Sequence, residues 1–224
     1  MGEEKCKELS CVDCGVYKCG RYKGEYPGFC PTANMEDGLL EESLEKSIEP
    51  ENNALAVAAA KNEYENYCKR TRVEEIMIVA KEIGAGKLGI ATCIGLIKES
   101  KALSRILRAH GFEVYGVACK VGAVPKSQIG APAACESIGR SMCNPILQAL
   151  LLNRAGTQLN IAVGLCVGHD SLFYKYSEAF VTTLVCKDRV TGHNPAAVLY
   201  DLHSYYKRLL EPDPALDFTP VLEF

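Results

Sequence analysis

Four short aliphatic runs between residues 88 and 186 each finish on a cysteine: LGIATC, FEVYGVAC, LNIAVGLC and FVTTLVC, closing at Cys93, Cys119, Cys166 and Cys186. Each run is strand-sized and rich in β-branched or aliphatic residues, and helical patterns at 96–110, 145–155 and 170–177 separate them. Strands alternating with helices of this length imply right-handed βαβ crossovers, a mostly parallel sheet and helices on both faces. The expected fold is therefore α/β, with a three-layer, mostly parallel, four-stranded Rossmann-like sheet. Two helices should precede it, at 54–68 and 73–83, the second with Val73, Ile76, Met77, Ala80 and Ile83 as one apolar stripe. A closing helix is expected over 195–210. Asn194 would cap it, Pro195 would sit in its first turn, and Val198, Leu199, Leu202, Tyr206 and Leu209 would face inward.

In an open parallel sheet the carboxyl ends of all strands point to one edge, where ligands bind. The four runs therefore deliver several thiols to that edge. With the common strand order 2-1-3-4, Cys119, Cys93 and Cys166 come from neighbours, and Cys186 lies outermost. Adjacent strands are ~4.8 Å apart, so three ends span about 10 Å, a width that suits a four-iron cluster. The fourth ligand must come from a loop. Cys143 precedes Asn144 and Pro145, which open a helix, and a helix N-terminus favours the thiolate that a metal needs. Cys93, Cys119, Cys143 and Cys166 are thus the expected core ligands, with Cys135 and Cys186 in reserve.

Four thiolates suit zinc as well as iron–sulfur clusters. Ligands spread over separate strands favour the cluster, because tetrathiolate zinc usually sits in a knuckle of loops. Lys120, Lys126, His169, Lys187 and Arg189 occupy the same loops and would offset a cluster's negative charge. His169, Lys120, Lys187, Asp188, Arg189, His193 and Asn194 are candidates for holding a small ligand nearby. As acid–base groups or ligands, His169 and His193 compete with ordinary capping and loop hydrogen bonds. A Cys166/His169 nucleophile pair is the weaker idea, because residues three apart need not face each other.

The first thirty residues carry Cys6, Cys11, Cys14, Cys19 and Cys30, together with many Gly, Lys and Tyr and no apolar periodicity. Such a segment builds no core and needs a staple. Cys11-x2-Cys14-x4-Cys19-x10-Cys30 reads as a cysteine-rich metal knuckle over 1–33, holding zinc or an iron–sulfur cluster and folding only when loaded. Cys6-x4-Cys11-x2-Cys14 also matches the opening of a plant-type ferredoxin spacing. Residues 34–86 read as a helical linker packing on the core. Its first part carries Glu36, Asp37, Glu41, Glu42, Glu45, Glu49 and Glu51 around Leu39, Leu40, Leu44 and Ile48. Residues 87–224 then form the α/β domain.

The net charge is −3, which offers no electrostatic case for nucleic acid or an acidic membrane. No apolar run approaches the ~20 residues of a membrane helix, and the opening MGEEKCKELSC is unlike a signal peptide. A cytoplasmic protein is expected, and in that reducing compartment twelve cysteines suggest metal ligands more than disulfides. GAGKLG matches the dinucleotide fingerprint only literally. It precedes its strand, so it reads as a helix C-cap and turn.

The blocks CVDCGVYKC, FCP, IATCIGL, VACKVG, MCNPILQALLLN, GLCVGHDSLF and TTLVCKDRVTGHNP together resemble an uncharacterised domain family of anaerobic bacteria and archaea, labelled predicted metal-binding proteins. The likeness covers nearly the whole chain. It implies metal at Cys11, Cys14, Cys19 and Cys30 and suggests the core quartet, but it implies no settled reaction and no catalytic residue. The strand-end cysteines also look like cluster ligands of anaerobic reductases and dehydratases, an analogy of fold alone. The extra cysteines Cys6, Cys68, Cys135 and Cys186 have no assigned role. The expected function is an iron–sulfur redox or electron-transfer protein of anaerobic metabolism, whose partner is a redox protein or a small molecule. The rivals are a non-catalytic zinc-binding or metal-handling module and a cysteine-dependent transferase.

Overall fold

A computed structural model describes residues 9–17, 19–21 and 25–214. Cys6 and residues 215–224 lie outside the described residues. The chain divides into two compact units, Met1–Ala60 and Lys61–Phe224.

The first unit holds two short 3-10 turns, Cys11–Asp13 and Cys19–Arg21, then α1 (Pro31–Asn34), α2 (Leu39–Ile48) and most of α3 (Pro50–Asn66). Gly38 starts α2 from the left-handed region, φ 85°, a conformation that glycine adopts without steric cost. The predicted stripe Leu39, Leu40, Leu44 and Ile48 is exposed throughout.

The second unit is α/β. After α4 (Arg72–Glu82) come β1 (Lys87–Thr92), α5 (Ile97–Ala109), β2 (Glu113–Ala118), α6 (Pro145–Arg154), β3 (Leu159–Val163), α7 (His169–Tyr176), β4 (Phe180–Val185) and α8 (Ala196–Tyr200). The four strands form one parallel sheet in the order β2-β1-β3-β4. This is the common order for such crossovers, the one taken above to place the cysteines. Thr71 and Glu74 open α4 with a reciprocal capping box. At its other end Gly84 is left-handed (φ 73°), Gly84 N–H bonds to Lys81 O and Ala85 N–H to Ala80 O. These paired bonds close the helix in a Schellman motif and turn the chain into β1. GAGKLG is thus a helix stop. The same pair of bonds recurs at Gly111 before β2 and at Gly156 before β3.

Alternate residues of β1 feed two apolar clusters. Leu88 and Ile90 join Ile76, Met77 and Ala80 of α4 and Leu103 and Leu107 of α5. Ala91 joins Ala149 and Leu152 of α6 and Phe173 of α7. Each fully buried aliphatic side chain contributes about 1.5–3 kcal/mol. Both free edges of the sheet are blunted by arginines: Arg72 donates to Thr183 O at 2.8 Å on β4 and Arg108 to Val114 O at 3.1 Å on β2.

The closing helix is shorter than its sequence pattern. It ends at Tyr200, and a run of turns leads to a 3-10 turn at Lys207–Leu210. Leu199 is 70% exposed and Leu209 46%, while Val198, Leu202 and Tyr206 are only half-buried, so the stripe gains too little packing to repay a longer helix. No helix among the described residues is long and apolar enough to cross a membrane.

Candidate functional site

The strands stop just short of their cysteines. Cys93, Cys119 and Cys186 directly follow β1, β2 and β4, whereas β3 ends at Val163 and Cys166 lies three residues beyond. Gly164 makes that exit possible. It is left-handed (φ 65°), its N–H bonds to Val185 O at 2.7 Å, and an added Cβ would meet Leu96 Cδ1 at 2.1 Å. Cys166 O then accepts the N–H groups of His169 and Asp170, starting α7. A register shift between Ala162 and Val163 gives β4 one extra residue. Bulges of this kind commonly re-aim a chain beside a site.

Residues 120–143 form a long excursion between β2 and α6. Its ends are tied by Met142 N–H to Val124 O, by Lys126 N–H to Arg140 O and by Asn144 N–H to Cys119 O at 2.8 Å. Lys120 Nζ adds a 2.6 Å bond to Ser141 O. Asn144 also caps α6, its Oδ1 accepting from Leu147 N–H at 3.0 Å. These ties bring Cys143 back against Cys119.

The two thiols share a hydrogen bond that splits their protonation. Cys119 is raised, first because it donates to Cys143 and then by burial. Cys143 is lowered, first by that bond and then by His169, with the Lys120 ammonium adding to the effect. The proton is thus favoured on Cys119 and the thiolate on Cys143. His169 is raised, with Cys143 as the leading cause, so the imidazolium is favoured. Its Nδ1 is buried and has no hydrogen-bond partner among the described residues.

Main-chain donors point at the other sulfurs. Ile94 N–H reaches Cys119 Sγ at 3.3 Å and Gly95 N–H reaches Cys93 Sγ at 3.4 Å. Arg189 donates to Cys166 Sγ at 3.5 Å and also interacts electrostatically with Cys93 and Cys143. Lys187 lies along Gly164 and brings its Nζ to 3.9 Å from where a Gly95 Cβ would stand. All four core cysteines named from the sequence are thus linked to one another directly or through Arg189. Cys93 and Cys119 are buried, Cys143 and Cys166 half-buried, and Cys135 and Cys186 exposed.

A sequence family described as a protein of unknown function, DUF1847, matches residues 30–184. The chain belongs to it. Uncharacterized protein MJ0455 of Methanocaldococcus jannaschii is 41% identical over 203 residues, spanning 91% of this chain and 99% of that protein. No solved structure matches. The DUF1847 match includes Cys30, Cys93, Cys119, Cys143 and Cys166, and ends before Cys186 and the loop that carries Lys187 and Arg189.

Within that loop, Asp188 and His193 serve the loop itself. Asp188 Oδ1 accepts from Val190 and Thr191 N–H, and Asp188 N–H donates to His193 Nδ1 at 3.1 Å. His193 is left-handed, φ 71°, and Asn194 O accepts from Ala197 N–H as α8 begins. Arg189 is the side chain that the loop presents to the thiols.

In the first unit of this DUF1847 protein, Cys11 and Cys19 are exposed and open the two 3-10 turns. Cys14 N–H bonds to Cys11 O, and Val16 N–H points at Cys14 Sγ at 3.4 Å. Cys30 caps α1. Burial raises its thiol, but hydrogen bonds from Thr32 and Ala33 outweigh burial and leave it below its ordinary value. Among the described residues no group of three or more His, Cys, Asp or Glu is gathered to hold a metal ion, at this segment or at the sheet edge.

Sequence reasoning missed Gln148. It is fully buried on α6, and its Nε2 bonds to Thr92 O at 3.2 Å and to Val117 O at 2.7 Å, just below Cys93 and Cys119. Only its place in MCNPILQ, five residues after Cys143, hinted at it.

Proposed function

We propose that Cys93, Cys119, Cys143 and Cys166 hold an iron–sulfur cluster at the carboxyl edge of a three-layer, Rossmann-like domain, and that the protein carries electrons in anaerobic metabolism. The observation that supports this reading is the Cys119–Cys143 pair, with Arg189 bonded to Cys166 and interacting with Cys93 and Cys143, and with N–H groups aimed at the Cys93 and Cys119 sulfurs. Hydrogen bonds to sulfur and nearby positive charge stabilise thiolates, and they tune the potential of a bound cluster. Lys120, Lys187, His169 and Arg189 supply the positive charge that four thiolates and a cluster call for.

Cys11, Cys14, Cys19 and Cys30 form the second centre, a knuckle binding zinc or an iron–sulfur cluster. The proposed location is the cytoplasm, where thiols remain reduced. The electron partner is a redox protein or a small molecule reaching the edge beside Arg189. Iron and sulfide analysis of anaerobically purified protein tests the core assignment.

One observation favours a second reading, a cysteine-dependent transferase. Cys143, held toward the thiolate, with His169, whose protonated form is favoured, is the pairing that activates a nucleophile. The sequence suggested Cys166 as partner of His169, whereas the geometry supports Cys143. Under this reading, alkylating Cys143 removes activity from metal-free protein.

A further inference from the structure

A second recess lies away from the sulfurs. A groove of about 490 Å³ runs between α5 and the outer strand β2, within the size range of small-molecule sites. Its floor is the sheet surface of Ile90, Val114, Gly116 and Ala118. Lys101, Arg105 and Arg108 line it from α5, spaced so that they share one face of the helix along about 10 Å. Arg108 spends one N–H on Val114 O, and among the described residues none of the three has a carboxylate partner. Ser100 and Thr92, hydrogen-bonded at 2.6 Å, close the end nearest Cys93.

Gly116 is the informative residue. A glycine inside a strand weakens it and often marks close approach by a ligand. Nothing among the described residues demands glycine here. Its φ is not left-handed, and an added Cβ would meet only Ile90 O at 3.8 Å and Ile90 Cβ at 3.9 Å, ordinary contacts. What the missing side chain provides is an open, flat floor beneath three cations.

We infer that the α5–β2 groove binds a small organic anion: a flat apolar ring lying on Gly116 and Ala118, with its phosphate or carboxylate held by Lys101, Arg105 and Arg108. This site does not depend on what the edge thiols hold.

Anilinonaphthalene sulfonate, a flat fluorescent anion, is the probe, titrated into the full-length protein. Wild type should bind one probe per chain. Arg105→Glu should weaken binding about tenfold or more, and Gly116→Leu, whose Cβ would make only ordinary contacts, should abolish it. Lys69→Glu, at an exposed position outside the groove, should change nothing. Circular dichroism confirms that the variants fold, and Arg105→Glu carries the test if Gly116→Leu does not. Displacement by adenosine monophosphate assigns a phosphate ligand, and displacement by naphthoate a carboxylate. Probe binding that is unchanged in both groove variants, or that neither competitor displaces, overturns the inference. So does sedimentation showing a dimer that Gly116→Leu dissolves, which would make the groove a contact between copies.

Discussion

The main-chain N–H of Asn144 donates to the carbonyl of Cys119 at 2.8 Å. That bond closes a loop of more than twenty residues onto the end of β2 and sets Cys143 against Cys119. It also fixes the start of α6, because Asn144 caps that helix with its side chain. One residue thus organises both the helix and the thiol pair.

In metal-free protein the lowered value of Cys143 should make it the thiol labelled first at acidic pH. Its value is lowered, first by Cys119 and then by His169, so its thiolate persists as pH falls through the range where ordinary thiols, with pKa about 8.5, protonate. Iodoacetamide should label Cys143 first at about pH 6, with mass spectrometry locating the adduct. His169→Ala should slow that labelling at least about fivefold at the same pH and change it little near pH 9. Preferential labelling of Cys135 or Cys186 would contradict this.

Glu74 gives a separate pH signature. Bonds first from Thr71 N–H, then from the Thr71 hydroxyl and Arg70, hold its carboxyl down to about 2. A depressed carboxylate stabilises the fold above its unfolded value of about 4.3, and that contribution is lost as pH falls toward 2. Glu74→Gln should therefore flatten the acid limb of thermal stability between about pH 4.5 and pH 2. Thr71→Ala should cost about 1 kcal/mol at neutral pH, measured by urea unfolding.

Gly164→Ala should damage the edge from within. The substitution forces a left-handed alanine whose Cβ meets Leu96 at 2.1 Å. A loss of about 3 kcal/mol or more is expected from backbone strain and overpacking together. Metal content should fall with it, since Cys166 leaves the sheet through this residue.

Gln148→Leu keeps the volume but removes two buried hydrogen bonds, to Thr92 O and Val117 O. A loss of about 1–3 kcal/mol follows from the unmet carbonyls. Chemical denaturation reads this loss, and iron retention shows whether the strand ends below Cys93 and Cys119 have moved.

Much of this architecture could be read from residue patterns. The β-branched runs and their spacing predict a parallel sheet, because strands and helices alternate in lengths that suit right-handed crossovers. Cys143 stands out through Asn144 and Pro145, a helix start visible in one dimension. The 195–210 stripe misleads because periodicity reports a capacity for burial, while Leu199 and Leu209 find nothing to bury against. The partner of His169 is hidden for a different reason. Cys166 is near in sequence, yet the contact is made by Cys143, which a long loop returns to the edge. Gln148 looks like a surface residue until α6 is laid over the sheet.

The most direct test of the cluster is iron and acid-labile sulfide content of protein purified without oxygen, compared with Cys93→Ala and Cys14→Ala. The account predicts about four iron and four sulfide at the core, lost with Cys93→Ala and kept with Cys14→Ala. Colourless protein holding only zinc, or iron that survives Cys93→Ala intact, would contradict it.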